Sequence, residues 1–349
     1  MDELALFFVG TGGSVPTPRR GLPAVVVRFG GERLLFDCGE GTQRQLMQLG
    51  MFGEFESVFI THFHADHWLG IPGMLKSFAL REREQPLTLY GPRGLGDLMR
   101  TMSVVYGRLP FELGLVELEP AQSVERDGYA IAAIPVAHGE RTAFGYALIE
   151  ADRPGEFDPR AAEHLGITPG EDFGRLQHGE TVDGVRPEQV MGPPREGRKV
   201  VFSGDTAPCG ALVVASHRAD VLVHEATFAD AELERARETS HSTARQAAEV
   251  ARDAEVRLLA LTHISSRYSG REVRDEAREV FSATEVPRDF DEIEVPFPER
   301  GPAVLVRRSE REARADGRSR QEGDPAEPAP ADAEPVQPPE HAHEGITSP

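Results

Sequence analysis

Short apolar runs separated by turn-forming residues recur along most of this chain: Leu34-Leu35-Phe36, Val58-Phe59-Ile60, Leu87-Thr88-Leu89, Ile131 to Ile134, Val200-Val201-Phe202, Val221-Leu222-Val223 and Leu258 to Leu261. Each is short enough for a strand and, apart from Leu87-Thr88-Leu89, uninterrupted by polar residues, so the pattern predicts strands buried on both faces. Between them, apolar residues recur three and four apart at about 40–49, 67–82, 93–105, 243–253 and 271–282, with Gly or Pro at the ends, which predicts helices. The expected body is one of sheets covered by outer helices.

Two stretches break the pattern. Residues 152–195 hold seven glycines and six prolines around a short helical piece near 159–165. This is too long for an ordinary connection in a compact domain. It reads either as a poorly ordered surface insertion or as a protruding arm that grips a substrate or partner. From Arg308 the chain passes into Ser309-Glu310-Arg311-Glu312-Ala313-Arg314 and then a Pro, Ala and Glu tract with almost nothing apolar to bury, so no order is expected from about residue 310. The domain organisation is thus 1–308 for the body, with 152–195 inserted, and 309–349 for an acidic tail.

The formal net charge is −20, and residues 309–349, with ten acids against four bases, account for −6 of it, leaving −14 for the rest. An acidic body has no bulk attraction for nucleic acid or anionic membrane, so binding a polyanion requires a local basic surface or metal ions. The run Leu4 to Val9 follows Met1-Asp2-Glu3 with no basic leader and is too short to span a bilayer, which points to a cytoplasmic protein rather than a secreted or membrane one. Two cysteines, Cys38 and Cys209, make no disulfide framework and read as small buried hydrophobes.

The chemistry concentrates in His62-Phe63-His64-Ala65-Asp66-His67, directly after Val58-Phe59-Ile60-Thr61. Histidines and a carboxylate packed this closely desolvate badly unless something binds them, and a metal supplies that compensation. His62 and His64 can face one ion while Asp66 and His67 face a second, and neutral imidazole with carboxylate oxygen suits a catalytic Zn²⁺ that keeps a position for water. Three more donors stand at the ends of apolar runs: His138, Asp205 in Ser203-Gly204-Asp205-Thr206, and His263. Singly each could be a capping aspartate or a core histidine; together they read as ligands.

The HxHxDH pattern resembles the metallo-β-lactamase superfamily. Gly10 to Thr17, Phe36 to Gln43, Ser203 to Thr206, His224-Glu225-Ala226-Thr227-Phe228 and Ser240-His241-Ser242-Thr243 narrow the likeness, over about residues 4–307, to the ribonuclease Z family. That resemblance implies an α+β four-layer αβ/βα sandwich, the metallo-β-lactamase fold with an inserted exosite arm. It also implies two Zn²⁺ per subunit, with manganese fitting the same donors. One ion is held by His62, His64 and His138 and the other by Asp66, His67 and His263, with Asp205 bridging. The implied reaction removes the 3′ trailer from precursor tRNA, leaving a 3′-hydroxyl on the tRNA and a 5′-phosphate on the trailer. In it Asp66 accepts a proton from water, and His241, held by Glu225, protonates the leaving oxygen. Asp37 orients the metal histidines without binding metal. The family pattern adds a homodimer whose arms bind tRNA.

The chain departs from that pattern in the arm, where Glu171 and Asp172 follow Gly170 and Gln177 and His178 stand where lysines are common, and in Pro16-Thr17-Pro18-Arg19-Arg20-Gly21, which matches a Pro-x-Lys-x-Arg-Asn loop only at Pro16 and Arg20. Treatment of tRNA that already bears CCA stays open on that account. Two other readings remain: a fold relative that hydrolyses a small phosphodiester, sulfate ester or lactone, and an inactive binding subunit, which ought to lack a metal ligand. His164, His217, His341 and His343 read as surface residues.

Overall fold

The computed structural model describes residues 3–53, 55–140 and 142–321. The chain divides into two units, Met1–Arg308 and Ser309–Pro349. The first begins with β1 (Leu4–Gly10), β2 (Ala24–Phe29), β3 (Glu32–Phe36), α1 (Thr42–Gln48), β4 (Ser57–Phe59), α2 (Ala65–Trp68), α3 (Gly70–Leu80), β5 (Leu87–Gly91), α4 (Leu95–Tyr106) and β6 (Leu113–Glu117). Next come β7 (Ser123–Arg126), β8 (Tyr129–Pro135), β9 (Phe144–Glu150), α5 (Pro159–His164), α6 (Glu171–Gln177), β10 (Lys199–Phe202), α7 (Gly210–Ala215) and β11 (Val221–Glu225). It closes with α8 (Leu233–Glu238), α9 (Ala244–Asp253), β12 (Leu259–Thr262), α10 (Gly270–Arg278), β13 (Thr284–Glu285), β14 (Glu292–Glu294) and β15 (Val304–Val306).

Two mixed sheets result, ordered β15-β14-β1-β2-β3-β4-β5-β6 and β13-β12-β11-β10-β9-β8-β7. In each, an antiparallel part joins a parallel one: β3, β4, β5 and β6 run parallel in the first, and β10 to β13 in the second. The apolar runs in β3, β4, β10, β11 and β12 are unbroken because both faces are covered. Along β1, Leu4, Leu6 and Phe8 enter the core between the sheets with Ile131, Val200 and Val223, while Ala5, Phe7 and Val9 pack outward with Leu46 of α1 and Met74 and Phe78 of α3. Ile71, Met74, Leu75 and Phe78 recur at helical spacing, so one stripe of α3 is buried. On the far side Ala244, Ala247, Ala248 and Ala251 of α9 pack with Val273 of α10 on Leu222, Leu259 and Leu261. Small alanines let α9 lie close to the sheet, and a capping box between Thr243 and Gln246 closes its start. The layers are helix, sheet, sheet, helix, as the resemblance implied.

Three expectations are changed. The helix read at 67–82 is broken at Leu69, because Gly70 packs against the backbone of Gly39, where a Cβ would stand 2.2 Å from a carbonyl oxygen. The inserted stretch is not without structure: α5 and α6 bury Ala162, Ile167 and Leu176 with Val182, Val185 and Val190 in an apolar cluster of their own. Its two strands of entry meet at bridges Arg153–Arg195 and Phe157–Met191. Gly155 permits this, since a Cβ there would stand 1.9 Å from the Gly192 carbonyl oxygen. Finally, where no order was expected from about residue 310, α11 runs Arg308–Gln321. Its alternating Arg and Glu can pair at helical spacing and need no buried stripe; residues 322–349 lie outside the described residues. Cys38 is buried as expected, but Cys209 is only partly so.

Candidate metal centre

Every donor in the centre is delivered by chain leaving a strand. After β4, Thr61 and His62 lead to His64, which caps α2, and the first turn of α2 carries Asp66 and His67. His138 follows β8, Asp205 follows β10, Glu225 ends β11 and His263 follows β12. The backbone is in the left-handed region at Asp37, Ser240 and His263, each with φ 56°, conformations that turn side chains into the site and require support from the surrounding structure.

Donor atoms of His62, His64, His138 and Asp205 fall within 4.8 Å of one another, as do those of Asp66, His67 and His263. Asp205 joins the two groups: its Oδ2 lies 3.2 Å from His67 Nε2, 3.3 Å from His263 Nε2 and 3.8 Å from His62 Nε2. Asp66 Oδ2 lies 3.3 Å from His263 Nε2 and accepts the backbone N–H of Ser14 at 2.8 Å.

The other ring nitrogens are held from outside. His67 Nδ1 donates to Asp37 at 2.7 Å, His138 Nδ1 to the Ser240 carbonyl at 2.9 Å, His263 Nδ1 to Thr227 Oγ1 at 2.8 Å and His62 Nδ1 to Thr61 Oγ1 at 3.0 Å. A proton fixed on Nδ1 leaves Nε2 as a lone-pair donor facing inward, the arrangement metal-binding histidines need. The Nε2 atoms of His62 and His67 are buried with no hydrogen-bond partner, although His67 Nε2 stands 3.2 Å from a carboxylate oxygen. His138 Nε2 and His64 Nδ1 face each other at 3.1 Å. Lone pairs converging this closely on a carboxylate fit divalent cations, so the residues present suit the group the fold implies.

The electrostatics agree. Burial, then the neighbouring His67, holds His62 well below the usual histidine range, and burial with His138 lowers His64, so both favour the neutral ligand form. Burial also works against a charge on His67, but the carboxylates of Asp205 and Asp37 outweigh it and push His67 well up. Asp205 is opposed by burial, yet His263 and His67 hold it well below the carboxylate range. Carboxylates thus prevail over burial in making the pocket attractive to positive charge.

His241 takes a different place. Its Nδ1 donates to Glu225 Oε1 at 2.8 Å, and its ring centroid lies 4.8 Å from His138 and 5.5 Å from His263. Burial disfavours its charged form, but Glu225 overrides this and raises it to about 9. Glu225 is itself fixed by Thr206 N–H at 2.7 Å and by Thr227 Oγ1 at 2.5 Å. Glu225 thus favours the protonated imidazole at this position beside the ligand cluster.

Residues 32–264 match the Beta-lactamase superfamily domain. Ribonuclease Z of Methanosarcina mazei is 46% identical over 303 residues, 84% of this chain and 99% of that protein. Ribonuclease Z of Haloferax volcanii is 48% identical over 301 residues, covering 83% and 94%. The chain belongs to the ribonuclease Z family. Human tRNase Z, short form, shares the ribonuclease Z fold, with a TM-score of 0.62 and 30% identity over 84% of this chain and 99% of that one.

All seven expected metal donors meet in one place, with Glu225 and His241 beside them and Asp37 behind His67. His164 and His217 lie exposed. Several contributors to this ribonuclease Z centre had escaped notice: Thr61, Thr227, the Ser240 carbonyl and the Ser14 N–H. Thr227 lies within His224-Glu225-Ala226-Thr227-Phe228, so its hydroxyl is visible in the sequence; the backbone groups carry no sequence signal, since every residue has them.

Proposed function

We propose that the chain is a zinc-dependent phosphodiesterase that removes the 3′ trailer from precursor tRNA by one endonucleolytic cut, leaving a 3′-hydroxyl on the tRNA and a 5′-phosphate on the trailer. The observation that carries this reading is the His241–Glu225 pair: a donor atom of His241 comes within 4.8 Å of those of Asp205 and His263, but its Nδ1 is committed to Glu225 at 2.8 Å. Expelling a basic ribose oxygen calls for an added acid of this kind, and the relatives' names favour RNA over a sulfate ester or lactone. His62, His64 and His138 would hold one ion, Asp66, His67 and His263 a second, and Asp205 both. Ions bound there supply Lewis acidity toward a phosphoryl oxygen and lower the pKa of a water.

The protein's own groups do the rest. Asp66, kept anionic below the carboxylate range by His263 and His67 against the effect of burial, accepts a proton from the attacking water. His241 donates one to the departing O3′, and Glu225 holds it in place for that transfer. Names of the relatives support tRNA as substrate, and the resemblance supports a cytoplasmic homodimer whose arms bind it; among the described residues no helix is long and apolar enough to cross a membrane. The arm itself is poor in free charge: it has nine acids against five arginines, and Arg175 is tied to Glu180 at 2.9 Å and Asp172 at 3.1 Å.

His241→Ala separates the roles. On RNA, whose leaving alkoxide is basic, the rate should fall about 10²–10⁴-fold. On an aryl phosphodiester with an acidic leaving group it should fall far less. Equal losses on both substrates count against His241 as the acid.

A further inference from the structure

Beside the metal centre, and separate from its ligands, lies a cleft of about 990 Å³ walled by the loop 16–21, by α1, by α10 and by the turn before β14. Seven arginines line it beside Glu40 and Asp289; Arg271 and Arg274 are paired with Asp275 and Arg307 with Asp291, which leaves Arg19, Arg20, Arg44 and Arg288, in a chain of net charge −20. Its floor is built. Arg20 Nη1 donates to Thr11 Oγ1 at 2.6 Å and to the Pro287 carbonyl at 3.0 Å, and Gly270 leaves it room, since a Cβ there would stand 2.8 Å from Nη2.

Asp289 is fixed in the floor by Thr11 N and Oγ1, Gly21 N and Gln45 Nε2, and its charge is set against that of Arg20. Arg19, Arg44 and Arg288 are exposed and make no ion pair among the described residues. Three uncommitted guanidinium groups around one cavity repel one another unless an anion lies between them. Tyr268 and Phe290 add aromatic rings to the same wall. Free arginines interleaved with aromatics are the equipment of a groove for single-stranded nucleic acid.

One loop touches the centre and then walls the cleft: Gly12 bridges Ile264, a Cβ on Gly13 would lie 2.4 Å from His263, Ser14 N–H reaches Asp66 at 2.8 Å, and Pro16 to Gly21 line the cavity. His241 stacks near His263 with ring centroids 5.5 Å apart, while Ser14 of the loop is held on Asp66. With the leaving O3′ at His241 and the trailer running past Asp66, this loop would lead the strand to the arginines.

We infer that this arginine cleft binds the phosphates of the 3′ trailer several nucleotides beyond the cut, so that the protein senses trailer length. The inference rests on the RNA reading above. It places the missing positive charge of an acidic body at Arg44 and Arg288, on the exit side.

The test is a series of precursor tRNAs with trailers of increasing length, cut by the metal-replete protein and by the double variant Arg44→Ala, Arg288→Ala. For the unaltered protein KM should fall on the order of tenfold as the trailer lengthens and then level off; in the variant the ratio of KM between short and long trailers should collapse toward one. The slope of log KM against log salt for the long trailer should drop by about 1.4, two phosphate contacts at about 0.7 each. Two measurements need no cleavage: anisotropy of a labelled 5′-phosphorylated single-stranded RNA, which should weaken in the variant, and crosslinking of 4-thiouridine in the trailer, which should label residues 40–48 or 268–290. An undiminished length dependence in the variant overturns the inference. So does tight binding of pyrophosphate with none of the oligonucleotide, which would make this a small-phosphate site. If no precursor is cut yet the oligonucleotide binds the cleft, the RNA-processing reading fails separately.

Discussion

Replacing Thr227 with valine keeps the shape of a buried side chain and removes only its oxygen. That oxygen accepts from His263 Nδ1 at 2.8 Å and donates to Glu225 Oε2 at 2.5 Å. Glu225 keeps Thr206 N–H at 2.7 Å, Thr227 N–H at 3.3 Å and His241 at 2.8 Å, so the acid pair survives in weakened form. His263 has no such reserve. With Nδ1 unpartnered in a site where His263 is 2% exposed, the buried donor costs about 1–3 kcal/mol, and the ring no longer has its tautomer fixed. Losing an outer partner of this kind lowers metal affinity about 10–100-fold, or about 1.4–2.7 kcal/mol. Competition against a graded chelator should show one of two metal equivalents weakened by that factor in Thr227→Val, while Thr227→Ser, which keeps the hydroxyl, should stay close to the parent. If the valine variant binds both equivalents as tightly as the parent, the proposed control of His263 by Thr227 is wrong.

Three further outcomes follow from the same geometry. Excising about residues 152–195 and joining the ends, which the Arg153–Arg195 bridge brings together, should leave aryl phosphodiester hydrolysis largely intact while raising KM for precursor tRNA by orders of magnitude, as steady-state kinetics on both substrates will show. Gly13→Ala places a Cβ 2.4 Å from His263 Nδ1, so metal analysis should find occupancy falling from two equivalents toward one. In metal-free protein the His241–Glu225 pair raises His241 to about 9, so its stabilisation is full below the unfolded value near 6.5 and is lost as pH rises through 9. The drop in thermal stability over that window should be smaller in His241→Gln.

Much of the centre was legible because its donors obey one rule: a histidine or aspartate directly after an apolar run sits at a strand end, and strand ends converge in a layered sheet protein. His62, His138, Asp205 and His263 all satisfy it. The parallel strands β4, β10, β11 and β12 were legible for the related reason that burial on both faces leaves an unbroken apolar run; in β5, where Thr88 and Tyr90 are half-buried, Leu87 and Leu89 carried the signal. Short or partly exposed edge strands were not. β6 has no fully buried position and Gly114 interrupts its apolar residues, β7 alternates exposed and half-buried positions, and β13 has two residues. Helix α6 was hidden by Gly170 and Gly174, which read as loop although Leu176 is fully buried there. The arginine cleft was invisible for a different reason: its charges come from five separated segments, and only folding sums them into a local excess against a net charge of −20.

Mapping the products of one precursor tRNA, supplied with and without CCA, after incubation with metal-loaded protein decides whether the chain cuts precursor tRNA. A single cut at the base of the trailer is expected, with a 3′-hydroxyl on the tRNA and a 5′-phosphate on the released piece, abolished by chelation and restored by zinc or manganese. Metal-replete protein that leaves every precursor whole while hydrolysing a sulfate ester or a lactone would contradict this reading.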